Sequence, residues 1–216
     1  MAEAEPDPQV DAGAPRRDPR NWDAVAAVVA ALIGFLALFV SAYTASIQRQ
    51  QVRAQVWPYL EVGNEDFDQS VVVYSKGVGP AIVHSAQVFI DGKPQSNWNA
   101  VLTAVGLQPR GFQQSTLNPS VLLPGEHLKV IKFGVNEVAS VDEKEKEKEE
   151  ERQKARWEQF RREAEKRMTM NICFCSTLDE CWMYSDSHPI GYKEYTQLVK
   201  PVDQCPRIAT TEMFVN

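Results

Sequence analysis

"SVVVYSKGVGPAIVHSAQVFIDGK", residues 70–93, decides between a helical and a β-rich fold. Val71, Val72 and Val73 crowd one short run, and Ile82, Val83, Val88 and Ile90 another. Such branched side chains are stiff at χ1 and fit a pleated sheet better than a helix. Between the runs stands "GVGP" at 77–80, and "DGK" at 91–93 closes the second; both are turn signals. Outward from this stretch the pattern repeats. "YLEVGNEDF" (59–67), "HLKVIKFGV" (127–135) and "MTMNICFCS" (168–176) are short runs of the same kind, and Pro124-Gly125-Glu126 adds another turn. In the last run Met168, Met170, Ile172 and Phe174 share one face, while Thr169, Asn171, Cys173 and Cys175 share the other. Short strands separated by turns predict an antiparallel β-sandwich over 58–216. "NWNAVLTAVG" (97–106) reads as a short helix or loop crossing between sheets.

Upstream the chemistry changes. Ala24 to Gln48 contains no charged residue, and its centre reads "AVAAVVAALIGFLALFV". A helix of roughly 20 such residues spans a hydrocarbon core of about 30 Å. The stretch lacks the polar stripe of a surface helix. It is also longer than a signal-peptide core and comes after an acidic tail, so it reads as an uncleaved anchor. Residues 1–21, rich in Pro, Ala and acid, are expected to be disordered. Residues 22–57 form the membrane helix and a polar continuation, which Pro58 should end near Trp57. Arg16, Arg17 and Arg20 precede the span and Arg49 and Arg53 lie beyond it, a one-residue bias placing the N-terminus inside.

A charged segment interrupts the strand pattern at about 140–167, including "DEKEKEKEEERQKARWEQFRREAEKR" at 142–167. Its alternating first part puts like charges at i,i+4 and opposite charges at i,i+3, which nearly cancel. In the second part Trp157, Phe160, Ala164 and Met168 fall at helical spacing. A helical insertion packed by that stripe is expected. The rival is an arm whose Trp157 and Phe160 dock a partner.

All four cysteines lie C-terminal to residue 172: Cys173, Cys175, Cys181 and Cys205. An even, clustered set in an exported module reads as two disulfides. Two positions apart on a strand, Cys173 and Cys175 stand about 6.6 Å apart, at the edge of disulfide reach. They should therefore pair outward. A hairpin through "CSTLDEC" would bring Cys175 to Cys181 and leave Cys173 for Cys205; the swapped arrangement stands second. The rival is a zinc site on Cys173, Cys175, Cys181 and His188, although C-x-C-x5-C is not the usual pair spacing. His84, in a predicted strand, reads as half-buried and structural.

"GVGPAIVHSAQVFIDGK" with "LLPGE" after it resembles small immunoglobulin-like bacterial modules. The wider layout is a span, a polar helix, "WPYL", "GxGPA" and a Cys-rich "CxCSxxxxCW" segment. It is similar to that of uncharacterised bacterial single-pass membrane proteins. The resemblance covers about residues 22–205 and implies architecture without activity. The charged insertion departs from it.

Phosphate-binding, dinucleotide, nucleophile-elbow and His-Glu-x-x-His motifs are missing, and a net charge of −6 disfavours nonspecific nucleic-acid binding. The expectation is an all-β immunoglobulin-like sandwich with an N-terminal transmembrane helix and a charged helical insertion. It needs no cofactor, has no catalytic residue and binds no nucleic acid. Its partners are membrane lipid, through the anchor, and a protein of unknown identity. It sits in the bacterial inner membrane with the C-terminal domain periplasmic or extracellular. The alternative is a membrane-anchored cytoplasmic zinc-binding regulator or effector. A thiol enzyme comes third.

Overall fold

The coordinates are a computed structural model that describes residues 20–134, 143–186, 198–209 and 213–215. The chain divides into two compact units, Met1–Gln50 and Gln51–Asn216. Helix α1 (Arg20–Gln55), whose last five residues belong to the second unit, is long and apolar enough over Trp22–Gln55 to cross a membrane. Val25, Leu32, Phe35, Leu38 and Phe39 are all exposed along it. The helix stops at Gln55, three residues before Pro58, which has no N–H to continue the ladder.

The second unit contains two antiparallel sheets, as expected of a β-sandwich. Its strands in chain order are β1 (Leu60–Glu65), β2 (Ser70–Ser75), β3 (Ala81–Ile90), β4 (Lys93–Gln95), β5 (Phe112–Gln114), β6 (Ser120–Leu122), β7 (His127–Phe133), β8 (Met168–Cys175), β9 (Cys181–Ser185) and β10 (Val199–Val202). The first sheet runs β1-β2-β7-β5. The second runs β10-β9-β8-β3-β4, with β6 pairing the start of β3. Among the described residues the unit also holds two helices of unequal character: the short α2 (Trp98–Ala104), capped by the Asn97 side chain, and the long, charged α3 (Glu143–Arg167).

The opening stretch shows how turns sort strands between sheets. β2 belongs to the first sheet and β3 to the second, so residues 77–80 make the crossing. A Cβ on Gly79 would lie 2.2 Å from the Val56 carbonyl, and one on Gly77 2.4 Å from the Tyr59 nitrogen. Only glycine allows that approach. In exchange, the N–H groups of Val78 and Gly79 donate to the Trp57 carbonyl, and those of Lys76 and Gly77 to that of Tyr59. After β3, Asp91 (φ 53°) and Gly92 (φ 74°) form a two-residue hairpin loop, where the twist of paired strands favours two left-handed residues.

The core lies between the sheets. Val71, Val73, Ile131 and Phe133 face it from the first; Val88, Ile90, Met170, Ile172 and Phe174 from the second. Trp98, Val101 and Leu102 of α2 enter the same cluster. α3 packs against β7 of one sheet and β3 and β8 of the other. Its Trp157 and Phe160 lie against Phe133, at 5.7 and 5.3 Å between ring centroids. Trp157, Phe160 and Ala164 of the stripe predicted from helical spacing thus meet the chain's own core, and neither ring is exposed for a partner. Met168 falls outside the helix, as the first residue of β8. Trp157 Nε1 also donates to Asp66, and Arg161 pairs with the same carboxylate at 2.7 Å. At the far end of α3, Arg167 makes a forked contact with Asp91, whose N–H donates back to the Arg167 carbonyl. The first part of α3, up to Arg152, stays largely in solvent.

Candidate functional site

Among the described residues, the side chains with the richest chemistry meet where β8 ends and β9 begins. The register sets Cys175 directly opposite Cys181. Loop 176–180 turns back through Asp179, at φ 59°. Ser176 organises it: its N–H donates to the Glu180 carbonyl, and its buried Oγ accepts from the N–H groups of Leu178 and Glu180.

The alternation of β8 sends Ile172 and Phe174 into the core and leaves Cys173 and Cys175 on the outer face. Segment 203–207 comes directly after β10, which pairs with the edge of β9, and brings Cys205 onto that face. Cys173 is bonded to Cys205 (S–S 2.06 Å) and Cys175 to Cys181 (2.07 Å), so no free cysteine remains. Bridging uses every sulfur. Cys173 is fully buried and Cys175 nearly so, while Cys181 lies at the margin of burial and Cys205 is half-buried.

The two bridges touch: Cys175 Sγ and Cys205 Sγ, belonging to different bonds, are 3.8 Å apart. Sequence reasoning foresaw no such contact, because it depends on where the C-terminal segment crosses β8. Cys175, Cys181 and Cys205 have their sulfurs within 4.8 Å of one another. That trio differs from the zinc set read from the sequence, in which Cys173 stood for Cys205; His188 lies outside the described residues. Among the described residues no side-chain base is hydrogen-bonded to a sulfur.

The surroundings are tied down from three sides. Arg53 pairs with Glu180 at 2.9 Å, linking the loop to the chain before Trp57. Trp182 stacks on Phe174, with ring planes 23° apart. Beyond it, burial pushes the Tyr184 hydroxyl well above its ordinary range, and the charge of Asp186 adds to the effect. Burial likewise pushes the Asp186 carboxyl up to about 6, although the Met170 N–H donates to it.

The two described histidines, His84 and His127, are elsewhere. His84 occupies a β-bulge in β3, between Val83 opposite Phe174 and Ser85 opposite Cys173. It is exposed rather than half-buried as expected, because the bulge turns the extra side chain out of the alternation. His127 is exposed too, edge-on to Tyr74 at 4.9 Å.

No family model matches the chain, no curated protein matches its sequence, and no solved structure matches its fold.

Proposed function

We propose that this is a single-pass membrane protein carrying a disulfide-stapled sandwich outside the cytoplasm, with a non-enzymatic interaction, assembly or sensing role at the bacterial envelope. The observation that carries the reading is the complete pairing of the cysteines in a chain whose described residues include one helix long and apolar enough to cross a membrane. Disulfides persist in oxidising compartments and are rare in the cytosol. The anchor contacts lipid; the sandwich presents its surface to a protein partner.

The sandwich is immunoglobulin-like in this reading. Labelled in chain order with β1 as A, β2 as B, β3 as C, β5 as D, β7 as E, β8 as F and β9 as G, the first sheet reads A-B-E-D and the second G-F-C. An immunoglobulin-like sandwich distributes its strands in that way. β4 then takes the extra place beside C, and α3 stands between E and F. The bridges depart from the antibody pattern, since neither joins the two sheets.

A second reading, a cytoplasmic zinc-binding regulator, rests on the closeness of the Cys175, Cys181 and Cys205 sulfurs. One experiment separates the two: non-reducing intact mass of membrane-extracted protein, paired with a membrane-impermeant thiol label on whole cells. A mass lower by about four hydrogens, about two per bridge, and labelling of intact cells only after reduction support the envelope reading. Thiols that label only after lysis, with zinc in the protein, refute it.

A further inference from the structure

Two disulfides in van der Waals contact are a chemical arrangement as well as a mechanical one. We propose that the four cysteines form a thiol–disulfide exchange site for a dithiol reductant. Cys181 takes the external attack, and the Cys175 thiolate it releases attacks Cys205 and displaces Cys173.

The order is set by access and distance. Within the Cys175–Cys181 bridge, Cys181 is at the margin of burial and opens β9 directly after a loop whose Thr177, Leu178 and Asp179 are exposed, whereas Cys175 is buried on β8. A thiolate of the dithiol therefore reaches the Cys175–Cys181 bond from the Cys181 side. The new bond joins the reductant to Cys181, and the electron pair of the broken bond leaves on Cys175. The second thiol of the reductant then closes its own disulfide and releases Cys181. Meanwhile Cys175 Sγ stands 3.8 Å from Cys205 Sγ. Its attack forms Cys175–Cys205, breaks Cys173–Cys205 and leaves the electron pair on Cys173. Entry at the half-buried Cys205 instead releases Cys173. The Cys205 thiolate, once freed by the second thiol of the reductant, then attacks Cys175 and displaces Cys181, giving the same Cys175–Cys205 product. The balance is one dithiol oxidised to one disulfide, with thiols left on Cys173 and Cys181 that take the two protons the dithiol gave up.

The exchange has almost no chain-entropy cost. Cys173 and Cys205 are 32 residues apart and Cys175 and Cys205 are 30 apart, so loop closure favours neither bridge by more than about 1.1-fold. Local packing sets the ratio. Cys173 is a poor leaving group because it is fully buried, which makes the step slow, and because the thiolate is the attacking form, the step is promoted by base. The consequence is a tether that survives one reduction. After two electrons, segment 203–207 is still held on β8, by Cys175 instead of Cys173; four electrons are needed to free it.

The proposal rests on the disulfides of the reading above, not on the side of the membrane. Detergent-solubilised full-length protein is treated with one equivalent of dithiothreitol, quenched in acid, differentially alkylated and mapped by mass spectrometry. The expected two-thiol product includes chains bridged Cys175–Cys205 with Cys173 and Cys181 alkylated. In Cys181→Ala, the single remaining bridge is expected to divide between Cys173–Cys205 and Cys175–Cys205. If untreated protein holds two bridges but the two-thiol product keeps only Cys173–Cys205, exchange is refuted and the envelope reading stands. Four free thiols in untreated protein would sink both.

Discussion

Replacing Phe160 by Ala tests whether α3 is a structural part of the sandwich or an arm attached to it. Phe160 has no exposed surface and touches Phe133 of β7 and Trp157 of its own helix, with ring centroids at 5.3 and 5.9 Å. Deleting a buried phenylalanine ring typically costs about 3–5 kcal/mol, the transfer term plus the cavity. The cavity would not collapse easily, because α3 is held at the Arg167–Asp91 fork and the Arg161–Asp66 pair. Against a total stability of about 5–15 kcal/mol this is a large fraction, and at about 2–4 °C per kcal/mol it lowers Tm by roughly 6–20 °C. The assay is denaturant unfolding of detergent-solubilised protein, monitored by tryptophan fluorescence, beside Lys146→Ala on the solvated part of the same helix. Lys146→Ala should stay within about 0.5 kcal/mol of the parent. A Phe160→Ala loss below about 1 kcal/mol would refute the packing argument and return Trp157 and Phe160 to a partner-docking role.

Three further outcomes are expected from the same geometry. Asp186 has its folded carboxyl raised from 3.8 to about 6, so protonation stabilises the fold. That contribution is complete below 3.8, is lost as pH rises through about 6, and amounts to about 3 kcal/mol; Asp186→Asn should flatten stability between pH 4 and 7 and raise it at neutral pH, and an unchanged profile would refute the assignment. Removing Cys173 and Cys205 together should cost about 4 kcal/mol, against about 2 for Cys175 and Cys181, because the closed loops differ by 32 residues to 6; denaturant midpoints of the two double-alanine variants in the reverse order would count against the loop-entropy account. Gly79→Ala drives a Cβ into the Val56 backbone and should cost about 1–3 kcal/mol, with faster limited proteolysis after Arg53; proteolysis at the parental rate would mean that the turn does not clamp the chain there.

Several elements were legible because their signals are local. β2 and β3 occupy the runs "SVVVYS" and "AIVHSAQVFI" without displacement, since branched residues and flanking glycines act within a few positions. For 97–106 the sequence leaves helix and loop open; the structure makes it α2, capped by the Asn97 side chain. The three-residue strands β4, β5 and β6 escaped notice: too short to show a period, they exist only because a neighbouring edge offers hydrogen bonds. β10 contains Pro201, which argues against a central strand and is tolerated at the edge where it lies. Nothing local marks Phe214, yet it is buried edge-on to Trp98 at 5.2 Å and its N–H donates to the Ala86 carbonyl, between the parts of β3 that β6 and β4 cover.

By itself the sequence determined the apolar helix, the β-rich character of the chain beyond Pro58, the main turns and the face of β8 on which Cys173 and Cys175 stand. Each depends on side-chain period, backbone freedom or hydropathy, which act over a few residues. Tertiary structure alone decided which sheet each strand joined, that Trp157 and Phe160 face Phe133, and that Cys205 crosses β8 close enough to touch Cys175. The last two are contacts between residues 24 to 30 positions apart. They are set by loop closure, register and the competition of all buried surfaces for one core, and no short window of sequence contains that competition.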